Sequence, residues 1–233
     1  MEFRRVTLED CDRAEGAVVA IDVIRAFTTA AHALAAGVRE IHLVGTVEEA
    51  LALRGRLPGS RVMGEVGGIK HPAFDLGNSP SALDGMDLDL ARGPLIQRTS
   101  AGTQGVVRAR PHAEHLFAAS LCTGSATAAC IRGLQPRVVT FVITGVHADE
   151  LENDGDEDAA CADLLECLLR GESPDRAAIA RRVLASRAAA KFLDPARPEF
   201  PAEDLPYCTA VDRFDFAMRV IPEGDLLLLR PVR

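Results

Sequence analysis

Short apolar runs alternate with longer helical segments over the first third of this chain. Three of these runs predict buried strands, at 17–21, 41–44 and 61–63. The first run stops at Asp22, and a helix over 25–36 should follow and end before Gly37, the residue type that commonly follows a helix end. A second helix should begin after Thr46, because Glu49 stands at the capping-box spacing. This order predicts parallel strands joined by helices.

A long segment at 64–80, GEVGGIKHPAFDLGNSP, interrupts the pattern with four glycines and two prolines. Loops of this length inside compact domains are commonly functional. Beyond it, strands are predicted at 95–98 and 138–143, helices after 103 and at 126–134, 158–170 and 175–191, and a closing hairpin at 216–221 and 226–229. We therefore expect an α/β fold with a mainly parallel or mixed sheet covered by helices. Residues 1–233 should form a single domain, with possible sub-lobes of about 1–95 and 96–233 around a cleft.

Composition narrows the function classes. The chain has 233 residues, of which 48% are hydrophobic and 26% charged, and its formal net charge is −8. Proteins that bind nucleic acids usually carry a basic face, so no nucleic-acid partner is expected. No apolar run approaches the roughly 20 residues needed to cross a bilayer, the N-terminal segment lacks an apolar leader, and the six cysteines form no C-x-x-C pair. We expect a cytoplasmic protein without a membrane partner, and we expect it to form a homo-oligomer.

The first candidate for chemistry is the junction between the first strand and its helix. In open α/β sheets, ligands bind beyond the carboxyl ends of the strands, and helix starts attract anions. Asp22 stands at the strand tip as a candidate catalytic group and metal ligand. Arg25 is the second candidate catalytic residue, since its guanidinium fork could bind a phosphate or carboxylate. Thr28 and Thr29 add hydroxyl groups. The alternative is that Asp22 only caps the helix and Arg25 is solvated.

The second candidate is the segment that follows the strand at 95–98. Small and hydroxyl residues there would let the backbone approach a phosphate closely. The candidate substrate-binding residues are Arg98, Thr99, Ser100, Gly102 and Thr103. The segment is not a Walker loop, and it could equally be an ordinary capped helix start. If its strand is parallel to the first, this segment and the Asp22 junction should open on one edge of the sheet and share one anion site.

Further oxygen ligands stand in the long loop and in an acidic stretch at 149–158. Carboxylate and amide oxygens are the ligands that Mg²⁺ prefers. The loop offers Glu65 and Asp75 as candidate metal ligands, and Asn78 and Ser79 as candidate substrate-binding residues. In the acidic stretch, most of which should be solvated, Glu157 and Asp158 are the better candidates because they stand at a helix start, and we select Asp158 as a metal ligand.

Taken in order, these segments resemble the 2-phosphosulfolactate phosphatase family. The matching stretches are VVAIDVIRAFTTAAHALAAGVREIHLVGTVEEA, GEVGGIKHPAFDLGNSP, QRTSAGTQG and GDEDAACADLL. The resemblance implies an α/β fold, Mg²⁺ dependence, and hydrolysis of the phosphate ester of a sulfonated three-carbon acid on the way to coenzyme M. The substrate would then be a small anionic phosphorylated compound.

Two positions depart from that family's pattern. Val66 stands at the arginine position of a motif that is commonly Glu-Arg-Gly-Gly in the family. Ala101 stands at the asparagine position of a motif that is commonly Thr-Asn-Gly-Thr. One cationic and one amide side chain near the expected site are therefore missing. We expect slower turnover of 2-phosphosulfolactate and faster turnover of a less charged phosphoester, unless another arginine such as Arg61 or Arg98 compensates.

Two other functions remain open from the sequence. The chain could be a catalytically silent protein that binds an anionic metabolite, or a cysteine hydrolase resembling the isochorismatase family. The second alternative would use Asp22, Lys70 and a cysteine such as Cys122. Within the phosphatase hypothesis, Asp22 could hold Mg²⁺, act as a general base or accept the phosphoryl group, and the sequence does not separate these roles.

Overall fold

The computed structural model describes residues 1–84, 86, 93–146 and 154–233, and they form an α/β fold. The strands are β1 (Glu2–Thr7), β2 (Ala17–Ile21), β3 (Ile41–Leu43), β4 (Arg61–Gly64), β5 (Leu95–Arg98), β6 (His115–Ala119), β7 (Val138–Ile143), β8 (Ala217–Glu223) and β9 (Leu226–Val232). The helices are α1 (Ala26–Ala35), α2 (Val47–Arg56), α3 (Pro80–Leu83), α4 (Gly102–Ala109), α5 (Gly124–Leu134), α6 (Asp156–Leu169), α7 (Arg176–Leu184), α8 (Arg187–Ala190) and α9 (Leu205–Cys208).

All of these strands belong to one mixed sheet. Their order across the sheet is β1-β7-β2-β6-β8-β9-β3-β5-β4. Strands β1, β7, β2 and β6 are mutually parallel, as are β3, β5 and β4. The hairpin β8–β9 lies between these two groups and pairs antiparallel with β6 on one side and with β3 on the other. The expected mainly parallel or mixed sheet is therefore confirmed as a mixed sheet.

The two parallel groups do not lie in one flat plane. Three antiparallel pairings separate β6 from β3, so a flat sheet would place their carboxyl ends at opposite edges. Helix α4, which follows β5, nevertheless packs on β2 and β6, and a Cβ at Gly102 would lie 2.8 Å from Asp22 Oδ2. The sheet must curl for this contact to form, and the curl brings the ends of β2, β4 and β5 together.

The core lies on both faces of the sheet, and β2 shows why. All five of its residues are buried. Val18 and Ala20 face a layer that contains α1 and α4, whereas Val19 and Ile21 face a layer that contains α5 and α6. A strand covered on both faces has a continuous apolar run instead of an alternating one, and this run is the pattern that identified it in the sequence.

Two strands were missed by the sequence analysis, and one predicted helix is interrupted. Strand β1 lies at the edge of the sheet, and its exposed or half-buried residues, EFRRVT, give no apolar run. Strand β6 lies inside a region read as helical. The predicted helix over 175–191 is divided into α7 and α8 at Ser186, whose hydroxyl group caps α8 by accepting from Ala189 N. Among the described residues, no helix is long and apolar enough to cross a membrane.

Candidate active site

A cleft of about 300 Å³ lies where the ends of β2, β4, β5 and β7 meet. Its acidic wall carries four carboxylates that come from separate parts of the chain. They are Asp22, Glu65, Glu157 and Asp158. All four residues are buried. Buried carboxylates are costly unless they are hydrogen-bonded, protonated or bound to a cation, so their partners show what the cleft is built to hold.

Asp22 is the first residue after β2 and is only 6% exposed. Its Oδ1 accepts a hydrogen bond from the backbone N–H of Ala26 at 2.8 Å, near the start of α1. Burial raises the pKa of Asp22 to about 6, and the negative charge of Glu65 acts in the same direction. The carboxyl group therefore caps the helix, which was the alternative role for Asp22. It is also able to exchange a proton near neutral pH.

Asp158, in the first turn of α6, is fixed on both carboxylate oxygens. Oδ1 accepts from Val23 N at 2.8 Å, and Oδ2 accepts from Gly145 N at 2.8 Å and Thr144 Oγ1 at 3.3 Å. Burial raises the pKa of Asp158 well above its usual range, and the charges of Glu157 and Asp22 add to the effect. These carboxylates therefore repel one another across the cleft.

Glu65 follows β4 and joins it to the segment after β5. Its Oε1 accepts from Ser100 N at 2.5 Å, and its Oε2 accepts from Ser100 Oγ at 3.0 Å and Gly68 N at 2.6 Å. We expected the N–H groups after Thr99 to bind the substrate's phosphate. In this structure Ser100 N donates to a carboxylate instead, as do Val23 N and Ala26 N beside Asp22.

Arg25 lies in the cleft but is neither solvated nor open to a ligand on all sides. Its Nη1 donates to Asp204 Oδ2 at 2.8 Å, and both side chains are buried, at 5% and 0% exposure. Its Nη2 donates to the Gly68 carbonyl at 3.2 Å. The guanidinium also lies 4.9 Å from the ring centre of Phe192 and 5.4 Å from that of Phe200. Asp204 balances the arginine's charge and fixes its position.

Most of the hydroxyl groups selected as substrate contacts are used inside the protein. Thr99 and Thr103 cap each other, since each backbone N–H donates to the other's Oγ1, at 2.8 and 3.0 Å. Thr28 Oγ1 donates to the Val23 carbonyl at 2.7 Å. Thr29 is fully buried and is not part of the cleft wall. The structure therefore places these threonines behind the cleft wall, as supports for it.

Two further candidates for substrate binding, Ser79 and Arg98, also lie outside the cleft wall. Ser79 Oγ caps α3 and donates to Asp204 Oδ1 at 2.7 Å. Arg98 donates through Nη1 to the Glu65 carbonyl at 2.9 Å and through Nε to the Gly45 carbonyl at 3.3 Å.

Asp75, expected as a metal ligand, accepts from Val62 N at 2.7 Å and lies 3.6 Å from Arg54 Nη1. It is not part of the cleft wall. These contacts fix the loop against β4 and α2, and they place the Asp75 carboxylate apart from the three other candidate ligands, Asp22, Glu65 and Asp158.

Ser100 and Asn78 do line the cleft, together with Ala101. Asn78 is 7% exposed, and among the described residues no donor reaches its Oδ1. A buried amide oxygen without a partner at a cleft wall is suited to contact a ligand or its water shell. Gly102 lies behind Ala101, where it lets the start of α4 approach Asp22 closely.

One part of the cleft wall was not identified from the sequence. It is formed by a segment after α8 that contributes Lys191, Phe192, Arg197 and Phe200. No motif marks this proline-rich connection, and only its packing onto Arg25 places it at the cleft. Thr144 could have been found, because it directly follows β7, a strand of the same parallel group as β2.

The cysteine hydrolase alternative does not agree with this geometry. Cys122 is fully buried outside the cleft, and burial raises the pKa of its thiol to about 12, so it is not a thiolate at neutral pH. Lys70 Nζ donates to the Asp75 carbonyl at 3.3 Å and does not line the cleft either. Cys122 is therefore not the nucleophile of a cysteine hydrolase.

The described acidic residues need further ligands to hold a metal ion. Of the acidic stretch at 149–158, residues 149–153 lie outside the described residues. Among those that the structure describes, no three His, Cys, Asp or Glu side chains converge closely enough to hold a metal ion by themselves. Mg²⁺ usually takes one or two carboxylates and completes its shell with water and substrate phosphate oxygens, so the hard-oxygen donors of the acidic wall still fit this ion.

Comparison with known proteins agrees with the resemblance described above. The family model for 2-phosphosulpholactate phosphatase matches residues 5–221. A Bacillus subtilis protein named probable 2-phosphosulfolactate phosphatase is 35% identical over 209 residues, which span 89% of this chain and 88% of that protein. Proteins of the same name from Carboxydothermus hydrogenoformans and Deinococcus radiodurans are 40% and 36% identical over 48% and 62% of this chain, and over 45% and 59% of their own lengths. The chain belongs to the 2-phosphosulpholactate phosphatase family.

Proposed function

We propose that this protein is a Mg²⁺-dependent phosphoric monoester hydrolase that acts on 2-phosphosulfolactate or a closely similar phosphorylated three-carbon acid. The observation that carries the proposal is the acidic wall, in which Asp22, Glu65, Glu157 and Asp158 line one small cleft. A phosphate dianion is repelled by such a wall unless a cation lies between them. The family membership supplies the reaction class, and the acidic wall of the cleft supports the proposal that the reaction uses a metal.

The chain's own residues support a magnesium site. Asp22, Glu65 and Asp158 would hold the ion, with Glu157 beside them. Hydrogen bonds from backbone N–H groups fix these three carboxylates before any ion arrives, so little side-chain entropy would be lost on binding. When bound, Mg²⁺ would offset the charge of the phosphate and polarise its P–O bonds.

Hydrolysis requires a water oxygen to bond to phosphorus while the ester P–O bond breaks. The electron pair of that bond leaves with the ester oxygen, which takes a proton to become the alcohol of the product, and inorganic phosphate is released. As an alternative to holding the ion, the buried carboxylate of Asp22 could take the proton from water as a general base. It could instead attack phosphorus itself and pass the phosphoryl group to water in a second step.

Arg25 has a positioning role in this proposal. Its guanidinium joins Gly68 to Asp204, and thereby connects the loop after β4 with the segment after α8. Ser100 and Asn78 would contact the substrate from the sides. The partner is a small anionic compound and not a nucleic acid, which agrees with the net charge of −8.

Turnover of synthetic 2-phosphosulfolactate, followed as phosphate release, tests the proposal. We expect activity with Mg²⁺, loss of activity with EDTA, and recovery when excess Mg²⁺ is restored. Iodoacetamide should have no effect, because the Cys122 thiol is buried. A catalytically silent binder would show a ligand-induced rise in Tm without phosphate release, and turnover unaffected by EDTA would remove the metal from the proposal.

A further inference from the structure

Two cationic residues line the cleft together with its acidic wall. Lys191 and Arg197 both line it, and both belong to the segment between α8 and α9. Phe192 and Phe200 lie in the same wall, with their ring centres 5.3 Å apart. Acidic, apolar and basic side chains therefore line one cleft of about 300 Å³.

Arg197 differs from the arginines that the fold itself uses. Arg25 is fixed by a buried aspartate at 2.8 Å, and Arg98 is fixed by two backbone carbonyls. The ion pair of Arg197 is longer, since its Nε lies 3.8 Å from Asp194 Oδ2, and its side chain is 41% exposed. A partly exposed pair of this length contributes little to stability, so the guanidinium can turn towards a ligand at small cost.

Lys191 and Arg197 also act on each other. Burial lowers the pKa of Lys191, and the positive charge of Arg197 lowers it further. Two cations that repel each other at the wall of a cleft are stabilised by an anion between them. Glu199 also lines the cleft, and its backbone carbonyl accepts from Arg25 Nη1 at 3.4 Å.

We propose that Lys191 and Arg197 bind the acid group that the substrate carries beside its phosphate, and that this pair makes the enzyme selective for phosphorylated acids over neutral phosphate esters. The inference rests on the proposed function, since it assigns the phosphate to the acidic wall. The short carbon skeleton would lie against the apolar side chains of the cleft. A guanidinium and an ammonium together suit either a carboxylate or a sulfonate.

Three phosphate esters with the same three-carbon skeleton test the proposal. Glycerol 2-phosphate carries no acid group, 2-phosphoglycerate carries a carboxylate, and 2-phosphosulfolactate carries a carboxylate and a sulfonate. The measured quantity is the ratio of kcat/KM for each acid to kcat/KM for glycerol 2-phosphate. In Lys191→Gln and Arg197→Gln this ratio should fall about tenfold or more, mainly through a higher KM. The conservative variants Lys191→Arg and Arg197→Lys should keep most of it.

Arg187→Gln is the matched control. Arg187 begins α8 on the same segment, its side chain is 66% exposed, and it pairs with Asp154 at 3.4 Å without lining the cleft. The ratio of kcat/KM for each acid to kcat/KM for glycerol 2-phosphate should be the same in Arg187→Gln as in the unmodified protein. Equal ratios in all the glutamine variants would overturn the inference while leaving the phosphatase function in place.

Binding of sulfolactate, the dephosphorylated product, keeps the two proposals distinguishable. Isothermal titration calorimetry should detect sulfolactate binding to the unmodified protein and weaker binding to Lys191→Gln and Arg197→Gln. If the protein releases no phosphate from any ester yet binds sulfolactate in this way, the proposed function fails and the acid site stands. If sulfolactate binds equally to all variants, or to none, the acid site is refuted.

Discussion

The carboxylate of Asp158 accepts a hydrogen bond from the backbone N–H of Val23, at an N–O distance of 2.8 Å. This bond joins the start of α6 to the residue that follows Asp22, across 135 positions of the chain. The second oxygen of Asp158 takes the N–H of Gly145. One side chain thus fixes the ends of β2 and β7, and it does so with a carboxyl group whose pKa burial raises.

Asp158→Ala should therefore destabilise the fold as well as reduce activity. The change leaves the N–H groups of Val23 and Gly145 without their present acceptor, and an unsatisfied buried N–H costs about 1–3 kcal/mol. Urea unfolding should show a loss of about 2–4 kcal/mol in the free energy of unfolding. Asp163→Ala is the control on the same helix. Asp163 forms partly exposed ion pairs with Arg5 and Arg182, so its loss should cost less than about 1 kcal/mol.

Asp22→Asn should make the fold more stable, in contrast to Asp158→Ala. Burial raises the pKa of Asp22 to about 6, so the folded state binds this proton more tightly than the unfolded state, and ionising the group opposes folding. This loss of folding free energy is absent below the unfolded pKa of about 4, and it develops as the pH rises through 6. Without Mg²⁺, we expect the variant to be about 1–3 kcal/mol more stable at pH 8 and to lose this advantage at pH 4. A variant less stable than the unmodified protein at pH 8 would contradict this assignment.

The same variant should lose catalysis. An amide can neither take a proton from water nor attack phosphorus, and it is a weaker ligand for Mg²⁺ than a carboxylate. We expect kcat on 2-phosphosulfolactate to fall by much more than tenfold while the circular dichroism spectrum is unchanged. If the variant keeps more than about a tenth of kcat, which corresponds to about 1.4 kcal/mol of barrier, Asp22 has no catalytic role.

The buried strand β2 could be predicted from this sequence, whereas the exposed edge strand β1 and the buried strand β6 could not. Ala17–Ile21 was predicted with the observed bounds, because a strand covered by helices on both faces is a continuous apolar run. The edge strand β1 has no such run, since Glu2, Arg4 and Arg5 interrupt its apolar residues. Its pairing with β7 depends on a partner more than 130 positions away, which no local pattern can show.

The site divides in a similar way. Asp22, Glu65 and Asp158 could be selected because each follows a strand or begins a helix, and the structure brings them to one cleft. The approach of the Asp22 junction to the start of α4 was also predicted, although the curl of the sheet, and not parallel pairing of β2 with β5, produces it. Lys191 and Arg197 could not be found, because their position depends on how a proline-rich segment packs around Arg25.

The structure changes the effect that we expect from Val66, which stands where the family commonly has an arginine. Val66 is 43% exposed and is not part of the cleft wall, and the cleft keeps two cations in its wall. Arg98 cannot compensate without breaking its bonds to Glu65 and Gly45. We therefore expect Val66→Arg to change kcat/KM for 2-phosphosulfolactate by less than about threefold, well below the tenfold that 1.4 kcal/mol would give. A tenfold rise would show that the missing arginine limits this enzyme.

Gly102 offers a test of how closely α4 must approach Asp22. A Cβ added there would lie 2.8 Å from both Asp22 Oδ2 and Ala26 Cβ, closer than such atoms normally approach. Neither neighbour has a flexible end that can move away, since Asp22 is buried and bonded to Ala26 N, and Ala26 belongs to α1. Gly102→Ala should therefore displace the Asp22 carboxylate by a fraction of an ångström.

Catalytic groups misplaced by about 1 Å can cost on the order of a hundredfold in rate, so kcat in Gly102→Ala should fall at least tenfold. Gly133→Ala is the matched control, because Gly133 lies in α5 and nothing lies within 4 Å of its added Cβ. Replacing glycine by alanine in a helix interior stabilises by about 0.5–1 kcal/mol. The control should therefore gain stability and keep its kcat. If Gly102→Ala behaved in the same way, close contact between α4 and Asp22 would not be required for catalysis.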